Sequence, residues 1–82
     1  MFYVYILRSL TFPDKIYIGH TNDLKRRINE HNSGASFHTS KFQPWKIECY
    51  LAFACEDKAI AFEQWLKSGN GVVFRNKHLI QV

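Results

Sequence analysis

Blocks of apolar residues alternate with short polar segments along the first half of the chain. Residues 2–7 and 16–20 are rich in Val, Ile and Tyr, which predicts two β-strands. Residues 12–15 between them contain Pro and Asp, which favour a reversal, so we expect an antiparallel hairpin. Residues 33–43 form a polar loop, and a third strand is predicted from residue 45 to about residue 53.

Two other segments have the spacing of helices. The first begins after residues 21–23, whose side chains suit an N-cap, and ends at Gly34. The second begins at residues 56–57, whose negative charges suit a helix N-terminus, and runs to residue 66 or 67. Residues 68–71 (Ser-Gly-Asn-Gly) are predicted to break this helix as a C-cap and turn, with a phosphate-binding nest as the alternative. Residues 72–77 then form one or two helical turns.

This order of elements, β-β-α-β-α with a further short helix, predicts an α+β fold. We expect a small three-stranded antiparallel sheet flanked by helices, in a single domain over residues 1–82. A chain of this size buries only about 60% of its unfolded surface, so the core is thin. Its aromatic content of 16% compensates, because aromatic rings bury large areas.

Composition narrows the range of partners and compartments. Lys and Arg outnumber Asp and Glu by 11 to 7, a weak bias towards polyanions. Cys49 and Cys55 lack the spacing of a zinc site, so we expect buried free thiols and a cytoplasmic protein. The apolar N-terminus is interrupted by Arg8 and is too short for a signal peptide or membrane span, so no membrane association is expected.

The first predicted helix brings polar side chains next to an apolar stripe. On a helical wheel Leu24 and Ile28 define the stripe, and His31 lies in line with them. Arg27 lies at the margin of the stripe, one turn before His31, whereas Arg26 points to solvent. A packed histidine and an arginine whose alkyl chain covers the core are the structural alternative to a functional pair.

The second predicted helix contains a carboxylate within its apolar face. Glu63 lies between Ala59 and Ile60 on the wheel. Burying an unpaired carboxylate costs several kcal/mol, so Glu63 requires either an arginine partner or a bound cation. A hard cation such as Mg²⁺ takes one or two carboxylates together with phosphate and water.

Tyrosines mark both strands of the predicted hairpin. Tyr3 and Tyr5 share one face of the first strand, and Tyr17 and Gly19 share one face of the second. Cross-strand aromatic packing is the structural interpretation. A glycine inside a strand also indicates that another group approaches the backbone closely.

The order and spacing of these features resemble those of the GIY-YIG nuclease domain, in particular its small stand-alone bacterial members. The resemblance rests on Tyr3-Val4-Tyr5, Tyr17-Ile18-Gly19, the L-x-R-R-x-x-x-H-N pattern that begins at Leu24, and Glu63. It extends from residue 2 to about residue 77. The first triplet carries Tyr3 where the family name has Gly.

The resemblance implies hydrolysis of phosphodiester bonds with one divalent metal, Mg²⁺ or Mn²⁺. It aligns Tyr5 with the tyrosine that activates the attacking water and Tyr17 with the tyrosine that orients water and phosphate. Arg27 aligns with the arginine that stabilises charge on the phosphate, and His31 with a position that assists proton transfer or holds the phosphate. Glu63 aligns with the metal ligand.

The expected partner is DNA, including branched or damaged DNA in repair. Lys25, Arg26 and Lys41 are the candidate nucleic-acid-binding residues, and a protein partner or homodimer would supply specificity. Either Asn70 or Asn76 corresponds to a late asparagine of the family. The alternative to an endonuclease is a non-catalytic nucleic-acid-binding domain on the same fold.

Overall fold

Strand β1 (Phe2–Ser9) lies at the centre of a three-stranded sheet, between β2 (Ile16–Thr21) and β3 (Trp45–Phe53), and both neighbours are antiparallel to it. The structure is a computed structural model and describes residues 1–81. No helix in this range is long and apolar enough to cross a membrane. The predicted α+β fold is confirmed, and its elements are β1 (Phe2–Ser9), β2 (Ile16–Thr21), α1 (Leu24–Asn32), a 3-10 turn (Ser40–Phe42), β3 (Trp45–Phe53), α2 (Glu56–Leu66) and α3 (Gly69–His78).

Alternation along β1 divides the core between the two faces of the sheet. Val4 and Ile6 pack against α2 on one face. Tyr5 and Leu7 face the other side, where they pack with Trp45 and with partly buried residues of α1. Because β1 is buried on both faces, it holds its side chains rigidly on either side.

Helix α1 begins and ends as the sequence predicts. The Asp23 side chain accepts a hydrogen bond of 3.1 Å from the backbone N–H of Arg26, which satisfies one of the free donors at the helix start. At the other end Gly34 has a φ of 82°, and the Ala35 N–H donates to the Glu30 carbonyl at 3.1 Å. This Schellman arrangement needs a left-handed residue, which glycine adopts readily.

The predicted break after α2 is present, but it spans residues 67–68 and not residues 68–71. Ser68 is the N-cap of α3, which begins at Gly69, so only two residues separate α3 from α2. Gly71 lies where α3 passes the end of α2, and a Cβ there would be only 1.7 Å from the Trp65 carbonyl oxygen. Gly71 therefore reflects close helix packing in the first turn of α3. The C-cap of α2 is Lys67, and the turn that follows is closed by the hydrogen bond of 2.9 Å from the Ser68 N–H to the Trp65 carbonyl. Residues 69–71 are helical and form no phosphate nest.

The prediction of two buried thiols is wrong for Cys55. Cys49 is partly buried on β3, whereas Cys55 is exposed and both are free. The reason is positional, since Cys55 is the N-cap residue of α2 and lies at the surface end of that helix.

We expect Gly71→Ala to destabilise the fold by about 3 kcal/mol, because the new methyl group overpacks the α2–α3 contact. Gly69→Ala is the matched control, since a Cβ there meets nothing within 4 Å. It should change stability by less than about 1 kcal/mol, in the stabilising direction. Urea unfolding of the two variants measures the difference, and equal free energies of unfolding would contradict this account.

Candidate active site

The pairing of β1 with β2 places Tyr5 directly opposite Gly19. A Cβ at Gly19 would lie 2.5 Å from the Tyr5 phenol oxygen, so the missing side chain lets the Tyr5 ring lie across β2. Tyr17 lies on the same face, with its ring centroid 6.2 Å from that of Tyr5. The close approach expected from a glycine in a strand is therefore the approach of a tyrosine.

Helix α1 brings His31 beneath the two tyrosines. The His31 side chain is fully buried, and its Nε2 lies 3.0 Å from the Tyr5 hydroxyl. Its Nδ1 lies 2.6 Å from the hydroxyl of Thr39, and its ring centroid is 4.8 Å from that of Tyr17. Both tyrosine motifs and the histidine thus meet at one place, as their spacing suggested.

A set of hydrogen bonds fixes the loop below His31. The side chain of Asn32 bonds both backbone groups of Trp45, donating to the carbonyl at 2.9 Å and accepting from the N–H at 2.5 Å. The Trp45 indole N–H donates to the Thr39 carbonyl at 2.9 Å. No pattern in the sequence indicated Thr39, because its position depends on a tertiary contact of an irregular loop.

Burial keeps both Tyr5 and His31 uncharged at neutral pH. It raises the pKa of Tyr5 to about 12, although the Arg27 guanidinium acts in the opposite direction. Burial also lowers the pKa of His31 to about 4, and the nearby positive charge of Arg27 adds to this effect. Tyr5 is therefore a phenol, and His31 carries a single N–H with one free lone pair.

Arg27 and Arg26 have different environments although they are adjacent. The Arg27 side chain is 30% exposed and donates to Glu30 at 2.9 Å, a pairing that raises its pKa further. The Arg26 side chain is 60% exposed and lies 3.8 Å from the other Glu30 oxygen. Arg27 is thus charged and next to Tyr5, whereas Arg26 faces solvent.

The candidate DNA-binding residues lie in two elements. Lys25 and Arg26 are exposed on α1. Lys41 is exposed in the 3-10 turn, with its Nζ 5.8 Å from the Phe42 ring centroid. All three side chains are accessible to a phosphate backbone, and their role in binding stays a prediction.

Glu63 is buried, as predicted, but its partners are not arginines. It is 8% exposed on α2, where Oε1 pairs with His20 Nδ1 and Oε2 accepts from Lys67 Nζ at 2.5 Å. Burial acts to raise the pKa of Glu63, but the hydrogen bonds from His20 and Lys67 outweigh it and hold the pKa below its usual value. Lys67 follows Glu63 by four residues, a helical spacing that signals this pair in the sequence.

The surroundings of Glu63 suit a cation that is shared with substrate. Within residues 1–81, no group of three or more His, Cys, Asp or Glu side chains is arranged to hold a metal by itself. A single ionised carboxylate next to His20 suits Mg²⁺ or Mn²⁺, which complete their coordination with water and phosphate oxygens. Such a cation would compete with Lys67 for the Glu63 carboxylate.

Neither candidate asparagine joins this cluster. Asn70 is exposed in the first turn of α3, and Asn76 is partly buried towards its end. In the part of the chain that the structure describes, no side-chain hydrogen bond connects either residue to Tyr5, His31 or Glu63.

The two tyrosine motifs, one histidine and one arginine, which carry the resemblance to the GIY-YIG domain, lie close together in the structure. Comparison with protein families confirms that resemblance, since the model of the GIY-YIG catalytic domain matches residues 1–72. The chain belongs to the GIY-YIG family. The matched segment includes every predicted catalytic residue and Glu63.

Individual relatives are similar over most of this chain. The structure-specific endonuclease subunit SLX1 of Debaryomyces hansenii is 38% identical over an alignment of 71 residues. The match covers 78% of this chain and 20% of the relative. The SLX1 subunit of Mycosarcoma maydis is 39% identical over 68 residues, covering 77% and 10%. The chain thus spans a fifth or less of the length of these two relatives. A solution NMR structure of a UPF0213 protein from Bacillus halodurans matches with a TM-score of 0.54 and 30% identity, covering 94% of this chain and 84% of that one.

We expect acid to destabilise the protein through His31. The pKa of His31 is about 4 in the folded protein and 6.5 in an ordinary histidine, so between these values the unfolded chain binds a proton that the folded protein does not. The free energy of unfolding should therefore fall by a few kcal/mol as the pH decreases from 6.5 to 4. Urea unfolding at a series of pH values measures this slope.

His31→Gln should flatten the slope in this window, although the variant is less stable at pH 7. His38→Gln is the matched control, because His38 is exposed. Parallel curves for the wild type and His31→Gln would contradict the assignment of the slope to His31.

Proposed function

We propose that this chain is a metal-dependent endonuclease domain that hydrolyses phosphodiester bonds in DNA. The family membership and the endonuclease names of its relatives support a nuclease function. The observation that carries the proposal is the hydrogen bond of 3.0 Å between the Tyr5 phenol and His31, with the Arg27 guanidinium next to it. This arrangement provides a route for a proton and a positive charge for a phosphate.

The high pKa of Tyr5 means that the phenol must lose its own proton when it accepts one from water. His31 Nε2 is within hydrogen-bond distance and can take that proton. In the proposed step, water transfers a proton to the Tyr5 oxygen while Tyr5 transfers its proton to His31. The water oxygen bonds to phosphorus, and the leaving oxygen departs with its electron pair and takes up a proton from solvent.

Arg27 stabilises the charge on the phosphate. Its pKa is raised, so it remains a cation throughout the reaction, and its planar group can donate two hydrogen bonds to phosphate oxygens. To do so it must exchange its hydrogen bond with Glu30 for the phosphate, an exchange at a partly exposed position. Tyr17 orients the water and phosphate next to Tyr5.

Glu63, with His20 next to it, would hold the divalent metal. A bound Mg²⁺ or Mn²⁺ supplies positive charge to the phosphate and leaving oxygen.

The proposed substrate is branched duplex DNA, bound through its backbone. The relatives are named structure-specific endonuclease subunits, which supports both a structural preference and a protein partner. The net charge of +4, with Lys25, Arg26 and Lys41 exposed, suits weak electrostatic binding.

Incubation of the protein with supercoiled, linear, single-stranded and branched DNA in Mg²⁺ or Mn²⁺ tests this proposal. We expect cleavage, fastest with branched DNA. Binding of all four substrates without cleavage would overturn the proposal and favour the non-catalytic alternative.

We expect Glu63→Gln to lower cleavage at least about a hundredfold, because several kcal/mol of charge stabilisation by the metal are lost. The amide keeps the size of the side chain, so circular dichroism should show an intact fold. Asp57→Asn is the matched control, since Asp57 is an exposed acid in the first turn of the same helix. Cleavage by Glu63→Gln at the wild-type rate with the wild-type metal dependence would rule out Glu63 as the ligand.

Arg27→Ala should lower the single-turnover rate about a hundredfold or more, as expected for loss of a donor that stabilises the transition state. Arg27→Lys should restore little, because an ammonium cannot reproduce the two parallel hydrogen bonds of a guanidinium. Arg26→Ala should instead weaken DNA binding. The slope of the logarithm of the binding constant against the logarithm of salt concentration should fall in magnitude by about one, while the cleavage rate at saturating enzyme stays nearly unchanged. Equal rate losses in the two alanine variants would show that only net charge matters.

A further inference from the structure

Thr39 is the one fully buried side chain of the loop over residues 33–43. It is 1% exposed, whereas its neighbours Ser36 and Ser40 are only partly buried and the rest of the loop is largely open to solvent. A short polar side chain in such a position must place its hydroxyl against polar partners. Those partners are His31 and a backbone carbonyl of the loop itself.

The two contacts of the Thr39 hydroxyl determine the direction of its hydrogen bonds. Its oxygen lies 2.6 Å from His31 Nδ1 and 3.4 Å from the Ser36 carbonyl oxygen. A carbonyl oxygen can only accept, so the single hydroxyl proton must point to Ser36 if both contacts are hydrogen bonds. The hydroxyl oxygen then accepts a hydrogen bond from Nδ1, which must therefore carry the N–H.

We infer that Thr39 is a positioning residue that holds His31 in the Nδ1–H tautomer and thereby directs the free Nε2 lone pair at the Tyr5 hydroxyl. Nothing else within hydrogen-bond distance of Nδ1 in residues 1–81 accepts a proton from it. The hydrogen bond made by one ring nitrogen of a histidine sets the state of the other. In the opposite tautomer, Nε2–H would donate to the phenol oxygen and could not take its proton.

The surrounding hydrogen bonds hold Thr39 in place for this task. The Trp45 indole N–H donates to the Thr39 carbonyl, and the Trp45 backbone is in turn bonded to the side chain of Asn32. Asn32 directly follows His31 in the sequence. The loop and the end of α1 are therefore tied together around His31. This closed arrangement distinguishes Thr39 from Ser40, whose hydroxyl donates only to the Phe37 carbonyl at 3.2 Å.

The consequence for cleavage rests on the proposed function. When Tyr5 passes its proton to Nε2, His31 becomes a cation with an N–H at both nitrogens. The Nδ1–H remains bonded to the Thr39 oxygen, so the charge forms next to an acceptor that is already in place. The proton on Nε2 is that of the Tyr5 phenol, the attacking water replaces it on the Tyr5 oxygen, and no other reactant is required.

The tautomer can be measured on the free protein by long-range ¹H–¹⁵N correlation spectroscopy at neutral pH. We expect a pyrrole-like Nδ1 and a pyridine-like Nε2 for His31, identified by the loss of its signals in His31→Gln. An Nε2–H tautomer in the wild-type protein would overturn the inference. This measurement needs neither DNA nor metal nor a Thr39 variant.

Thr39→Val and Thr39→Ser separate the hydroxyl from the shape of the side chain. Thr39→Val keeps the size of the side chain but removes the hydroxyl that accepts from His31 Nδ1–H. A signal from the Nε2–H tautomer of His31 should therefore appear. The single-turnover cleavage rate should fall about 10- to 100-fold, the scale seen when a partner that orients a histidine is removed. Thr39→Ser should retain the Nδ1–H tautomer and most of the rate. Ser40→Ala is the control and should change neither.

Two outcomes with the variants would contradict the inference. One is an unchanged tautomer and rate in Thr39→Val. The other is an equal loss of rate in Thr39→Val and Thr39→Ser with the Nδ1–H tautomer kept in both, which would assign Thr39 to loop packing. Failure of the proposed function would look different, since the wild-type protein would then not cleave DNA although the tautomer could still be as inferred.

Discussion

The close approach of the Tyr5 ring to the backbone of Gly19 is the constraint on which the site depends. Any β-carbon at residue 19 would collide with the phenol oxygen, so an ordinary strand residue would push the ring away from His31. The central position of β1 constrains this contact, because backbone pairing with both neighbouring strands determines the direction of the Tyr5 side chain. The tyrosine–histidine contact therefore follows from strand register rather than from a flexible loop.

The site is divided between the two faces of the sheet and extends along its edge strand β2. Tyr5, Tyr17 and His31 lie on the α1 face, where burial suppresses the charged forms of Tyr5 and His31. His20 alternates with Gly19 along β2, so it faces α2, where it keeps Glu63 ionised. Because β2 is an edge strand, Tyr17 and His20 lie on opposite faces of the same open edge of the sheet.

The sequence predicted the fold and most of the candidate site because both depend on local periodicity. Strand alternation places Tyr5 with Tyr17, and the helical wheel places Arg27 and Glu63 at their observed exposures. The prediction that residues 69–71 are not helical was wrong, because glycine is common both in loops and at close helix contacts. Only the packing of α3 against the end of α2 distinguishes these two roles. The pairing of His20 with Glu63 and the contact of Thr39 with His31 depend on tertiary structure, which a single sequence does not encode in any local pattern. The pair between Lys67 and Glu63 differs, because it follows from helical spacing.

Hydrogen bonding within the site also contributes to the integrity of the domain. His31 and Asn32 are consecutive, and one bonds to Thr39 while the other bonds to the start of β3 through Trp45. The Trp45 indole N–H completes the network by donating a hydrogen bond to the Thr39 carbonyl. Each polar group in this buried network has a partner, and removal of one would leave another unsatisfied, at a cost of about 1–3 kcal/mol. The end of α1, the loop and the edge strand β3 are therefore expected to move as one unit, so that the geometry around His31 is maintained by the same contacts that stabilise this small core.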